Sequence, residues 1–130
     1  MEGEHSGKFP KGIYTFYMQI EWINDLNKKL EIAKTITEKV PEFAPAWREL
    51  ASLLNDKTEK LKAIEQGLSK EPDVETKGIL EINKASLINE SGKKEEAKQI
   101  LENLICSPDA TISNIALAKF TLESISTTLP

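Results

Sequence analysis

The side chains that could carry out chemistry are few and far apart. His5 is the only histidine, so a histidine-based nucleophile relay or a zinc site has no second imidazole to draw on. Cys106 is the only cysteine, which rules out an internal disulfide and a thiolate metal cage. It closes an apolar row with Leu101, Leu104 and Ile105 and reads as a small buried hydrophobe. Ser91-Gly92-Lys93-Lys94 lacks the preceding glycine of a phosphate loop, and Glu95-Glu96 at once neutralises its lysines. Those two carboxylates stand at the start of a helical stretch, where they answer the helix dipole rather than share a proton. The remaining candidate is Arg48, the single arginine among 17 cations. Its planar five-donor fork suits a carboxylate better than lysine does; a surface pairing with a neighbouring glutamate is the alternative. No cofactor or metal is implied, and catalysis is not expected.

The composition narrows the remaining classes. Of the 130 residues, 39% are apolar and 29% charged, and the net charge of −4 comes from 17 basic and 21 acidic residues interleaved along the chain. A phosphate-binding surface needs local positive excess, so nucleic acid is not an expected partner. No segment approaches the roughly 20 apolar residues of a membrane span, and no membrane association is expected. The opening Met-Glu-Gly-Glu-His lacks the basic start and apolar run of a secretory signal, which makes the cytoplasm the expected compartment. Residues 1–8 are polar and read as a mobile tail, followed by one domain over 9–130.

The elements that must position these residues are helices. Leu26, Leu30, Ala33, Ile36 and Val40 keep a helical beat that Pro41 stops. Trp47, Leu50, Ala51 and Leu54 mark the next stripe, then Leu61, Ile64 and Leu68, ended before Pro72. Ile79, Ile82, Leu87 and Ile88 run into Ser91-Gly92, where glycine can take the left-handed conformation that closes a helix. Ala97, Ile100, Leu101, Leu104 and Ile105 form a fifth stripe. Ile112, Ile115, Ala116, Phe120, Leu122 and Ile125 form a last one. Pro41-Glu42, Pro72-Asp73 and Pro108-Asp109 punctuate the chain, each proline ending a helix and each acid suiting the start of the next. Short connections pair these helices into antiparallel hairpins. Residues 12–23 have strand-like composition, yet a lone strand would leave its backbone unsatisfied, so a helix is expected there too.

The hairpins repeat. Ala51-Ser52-Leu53-Leu54-Asn55-Asp56 returns 34 residues later as Ala85-Ser86-Leu87-Ile88-Asn89-Glu90, and Ala63 returns as Ala97. Ala118 lies 33 beyond Ala85. With Trp47, Leu50, Ala51, Leu54 and Ala63, then Ala85, Gly92 and Ala97, the chain resembles the tetratricopeptide repeat. The small residues allow close helix crossings, and the tryptophan fills a wider gap. Glu81 and Lys84 depart from the family pattern, and Pro72 closes the first repeat early, implying a second helix shortened by a turn. The resemblance implies an all-α fold, a right-handed solenoid of about six to seven helices. It divides into a degenerate hairpin at 9–40, repeats at 44–71 and 74–106, and a capping helix at 109–126.

By the same resemblance, first helices line a concave groove. They would present Arg48, Ser52 and Asn55, then Ile82, Ser86 and Asn89, and finally Ile115, Lys119 and Leu122. Ser52 with Asn55, and Ser86 with Asn89, stand three apart and would form a hydrogen-bonding ladder for a peptide. The alternative is that both asparagines merely terminate helices. Some family members clamp a C-terminal carboxylate, but Arg48, Asn83 and Lys119 are only loose echoes of that set. The expected function is noncatalytic binding of a protein or peptide by a monomer. Self-association through the last helix or through Tyr14, Phe16, Tyr17 and Trp22 is the runner-up. Those aromatics are otherwise the core of the first hairpin, with at least one partly exposed.

Overall fold

The computed structural model describes residues 11–127, and of Lys11, Tyr14, Thr15, Phe16 and Glu21 the backbone alone. The expected tail with His5, and the side chains of Tyr14 and Phe16, lie outside the described residues. Every regular element among the described residues is helical, including the strand-like segment near the N-terminus. The chain divides into two compact units, residues 1–70 and 71–130.

In the first unit α1 (Lys11–Met18) runs through a 3-10 turn (Gln19–Trp22) to α2 (Leu26–Lys39), α3 (Ala44–Leu53) and α4 (Lys57–Leu68). Local chemistry sets these limits. The Asp25 carboxylate accepts from the backbone N–H of Asn27 at 2.9 Å and opens α2, and Asp56 does the same for α4 from Glu59 at 3.0 Å. α3 begins with Pro45 in its first turn, where no N–H is required. Successive helices pack together across connections at 40–43 and 54–56, which are too short for anything but antiparallel neighbours. The core joins Ile13, Ile20, Ile36, Phe43 and Ala46, with the Tyr17 ring edge-on to Phe43 at 5.3 Å. Ala51 and Ala63 are buried, as the close-crossing argument requires. Leu26, counted in the α2 stripe, is exposed, and the buried face is carried by Ala33, Ile36 and Thr37. Trp22 is exposed, at 85%.

The second unit holds α5 (Val74–Glu90), α6 (Lys94–Ile105) and α7 (Ile112–Thr127). Of the three proline-acid pairs, only Asp73 caps its helix, accepting from the Thr76 N–H at 3.0 Å. α3 has no side-chain cap, and at α7 the Thr111 hydroxyl, not Asp109, accepts from the Asn114 N–H at 3.1 Å. Gly92 has φ 91° and closes α5 as expected. The N–H of Lys93 reaches back to the Ile88 carbonyl at 3.1 Å and that of Gly92 to Asn89 at 2.9 Å. Ile82, Ala85, Ile88, Ala97, Leu101, Leu104, Ala118 and Ile125 form one core.

Three expectations are corrected. The repeat closed early by Pro72 does not lose length in its second helix, since α4 and α6 both have 12 residues; the short element is α3, with 10 against 17 in α5. Cys106 is exposed at the end of α6, because the helix has already turned its buried face to Leu101 and Leu104. The stripe expected on the capping helix splits. α7 packs Asn114, Ala118 and Ile125 inward against α5 and α6, while Ile112 at 88% and Phe120 at 67% exposure point outward.

Candidate partner-binding surface

Arg48 lies half-buried on α3, and its position follows from the turn that brings α1 back beside it. Its Nη2 donates to the Tyr17 hydroxyl at 2.7 Å, a contact spanning 31 residues of sequence. The neighbouring glutamate does not take it: among the described residues no carboxylate pairs with Arg48. Its Nε is sealed from water without a hydrogen-bond partner. A buried N–H left unmatched costs about 1–3 kcal/mol, more for a charged group, so this guanidinium is held at a cost.

Beside it a cavity of about 370 Å³ is lined by Tyr17, Ile20, Lys29, Arg48 and Glu49. Two cations, one carboxylate, a phenol ring and an aliphatic wall thus face one space within the first unit. Arg48 and Glu49 are adjacent on α3; Tyr17 and Ile20 come from α1 and the 3-10 turn, and Lys29 from the first turn of α2. No ion pair joins Glu49 to either cation among the described residues.

The polar ladder is only partly assembled. Ser52 is exposed on α3 with its hydroxyl donating to the Glu49 carbonyl at 2.7 Å. Asn55 lies beyond the helix, because Leu54 is already extended at ψ 147°, so the two do not share a helical face. Ser86 and Asn89 are both half-buried on α5, which continues to Glu90, and they do share one. Ile82, at 3% exposure, belongs to the core of the second unit and offers nothing to a ligand. Lys119 is exposed on α7, and Ile115 and Leu122 are half-buried.

Two positions escaped the sequence reading. Lys60 donates from Nζ to the Ala51 carbonyl at 2.8 Å and satisfies the end of α3. Asn114 is 1% exposed, and its Nδ2 donates to the Glu75 carbonyl at 3.1 Å, tying the start of α7 to the first turn of α5. Trp47 also does more than fill space, since its indole N–H binds the Pro41 carbonyl at 2.8 Å and fixes the α2–α3 turn. No cluster of three or more histidine, cysteine or acidic side chains suited to a metal occurs among the described residues. Nor is any described helix long and apolar enough to cross a membrane. Compared with models of known protein families, with curated proteins and with solved structures, the chain matches none of them.

Proposed function

We propose that this chain is a noncatalytic interaction module of the tetratricopeptide-repeat kind, binding a protein or peptide segment through its first helices. The observation that supports the reading is the agreement between two repeats. The alanines that recur at 34-residue spacing, Ala51 with Ala63 and Ala85 with Ala97, are all buried, each pair in one packed helical hairpin. The sequence repeat therefore has a structural counterpart in each unit, and such hairpins serve chiefly as binding scaffolds. The first unit offers Arg48 and Ser52 on α3 to a partner, and the second unit offers Ser86 and Asn89 on α5 and Lys119 on α7. Polar contacts of this kind contribute about 0.5–1.5 kcal/mol each, which puts the expected affinity near micromolar.

The test is capture of a partner with the intact chain, with Arg48→Glu as the disabling variant and Asn89→Ala as a milder one. An NMR titration with that partner follows. Shifts at Arg48, Ser52, Ser86, Asn89 and Lys119 are expected. Shifts confined to α4 and α6 would remove the reading. One observation favours a second possibility, self-association: Ile112, Ala116 and Phe120 make an exposed apolar line on α7. Sedimentation distinguishes them, because an interaction module without its partner stays monomeric. A dimer abolished by Phe120→Asp would favour self-association.

A further inference from the structure

We propose that the cavity of the first unit is a binding site for a small organic monocarboxylate with an apolar body. The argument begins with charge. Arg48 and Lys29 face the cavity, and neither has a carboxylate partner among the described residues. A cation taken partly out of water gains from a counter-ion that shares its low-dielectric space, and the gain is larger than it would be on an open surface. The hydrogen-bond inventory agrees. A guanidinium carries five N–H donors; the Tyr17 hydroxyl takes one from Nη2 and Nε is sealed from solvent, which leaves the remaining donors of Nη1 and Nη2 for a ligand. A planar two-oxygen acceptor is the group that matches such a fork.

The other walls select the rest of the ligand. The half-buried Tyr17 ring gives an apolar surface on which a short hydrocarbon body can lie, and buried Ile20 closes the wall beside it. Glu49 places a negative charge in the same space, which disfavours a second carboxylate or a phosphate dianion by like-charge repulsion. The volume of about 370 Å³ falls at the lower end of small-molecule sites. This site shares Arg48 with the partner-binding proposal but does not rest on it, since a small ligand in the cavity engages neither α5 nor α7.

Arg48 is the only arginine, so its Nε–H gives one side-chain signal in a nitrogen-proton NMR spectrum, identifiable without mutation. The full chain is titrated at constant ionic strength with 4-methylpentanoate, its uncharged amide, and glutarate. The monocarboxylate is expected to move the Arg48 Nε–H signal saturably, together with the backbone amides of Tyr17 and Lys29. The amide should bind about tenfold more weakly or worse. Glutarate should also bind weakly, and Glu49→Gln should bring it within about twofold of the monocarboxylate. Lys29→Gln keeps the packing intact and should weaken the acid severalfold, so the test does not depend on a variant of Arg48. Equal binding of acid and amide, or no saturable shift with up to about 50 mM acid, overturns the proposal. So does glutarate that binds as tightly as the monocarboxylate to the unaltered chain.

Discussion

Replacing Gly78 with alanine isolates the contact that seats α7 on α5. In the middle of a helix this change ordinarily adds about 1 kcal/mol of stability, because alanine has the better propensity. Here a methyl group would sit 2.6 Å from Cγ and 3.1 Å from Cβ of Asn114, with Nδ2 closer still. Asn114 cannot simply swing away, being 1% exposed and hydrogen-bonded to the Glu75 carbonyl. Moving it forces overpacking worth about 1–3 kcal/mol and strands a buried amide at about 1–3 kcal/mol more. Set against the propensity gain, the expected net loss is about 1–5 kcal/mol. Trp22 and Trp47 both belong to the first unit, so tryptophan fluorescence follows that unit. Amide exchange at Leu80, Ile88 and Leu101 follows the second, and the loss should be read there. A double-mutant cycle completes the test. With Asn114→Ala in place the Cγ and Nδ2 obstacles vanish, and Gly78→Ala should become neutral or stabilising by up to about 1 kcal/mol. Additive effects in the cycle, or a Gly78→Ala protein at least as stable as the parent, would refute the packing argument.

Ala85 is fully buried, so Ala85→Leu should destabilise the second unit by about 1–3 kcal/mol, measured by urea denaturation followed by circular dichroism. Gly92→Ala places a Cβ at φ 91° and should cost about 1 kcal/mol in the same assay, although nothing lies near enough to clash. Cys106 is exposed, so a thiol reagent should label it in the folded protein without denaturant, and protection from labelling would contradict that placement.

The features legible in the sequence are those decided locally. A proline or a glycine acts on its own turn, and so the ends of α2 before Pro41 and of α5 at Gly92 could be read directly. The recurring alanines were legible because a small residue at a helix crossing is needed at each repeat. The cavity beside Arg48 was not legible. Tyr17 and Arg48 are 31 residues apart, and no periodicity marks a single long-range hydrogen bond. The Ser-Asn echo shows the limit of reading by spacing: identical residues recur, yet α3 ends before Asn55 while α5 runs past Asn89.

The last helix explains why a hydrophobic stripe can mislead. α7 carries apolar residues on most of its circumference, so a count of them favours no face strongly. Depth is decided instead by what the facing helices can accept. Gly78 leaves room on α5 for the Asn114 side chain, and Ala118 permits a close approach where a leucine would hold the helices apart. Once those two positions point inward, Ile125 follows two turns on from Ala118, and geometry turns Ile112 and Phe120 outward. A polar residue and an alanine thus set the orientation of a helix whose largest side chains remain in water. The exposed line that results is a consequence of this packing, and whether it meets another protein is a separate question that sedimentation of Phe120→Asp addresses directly.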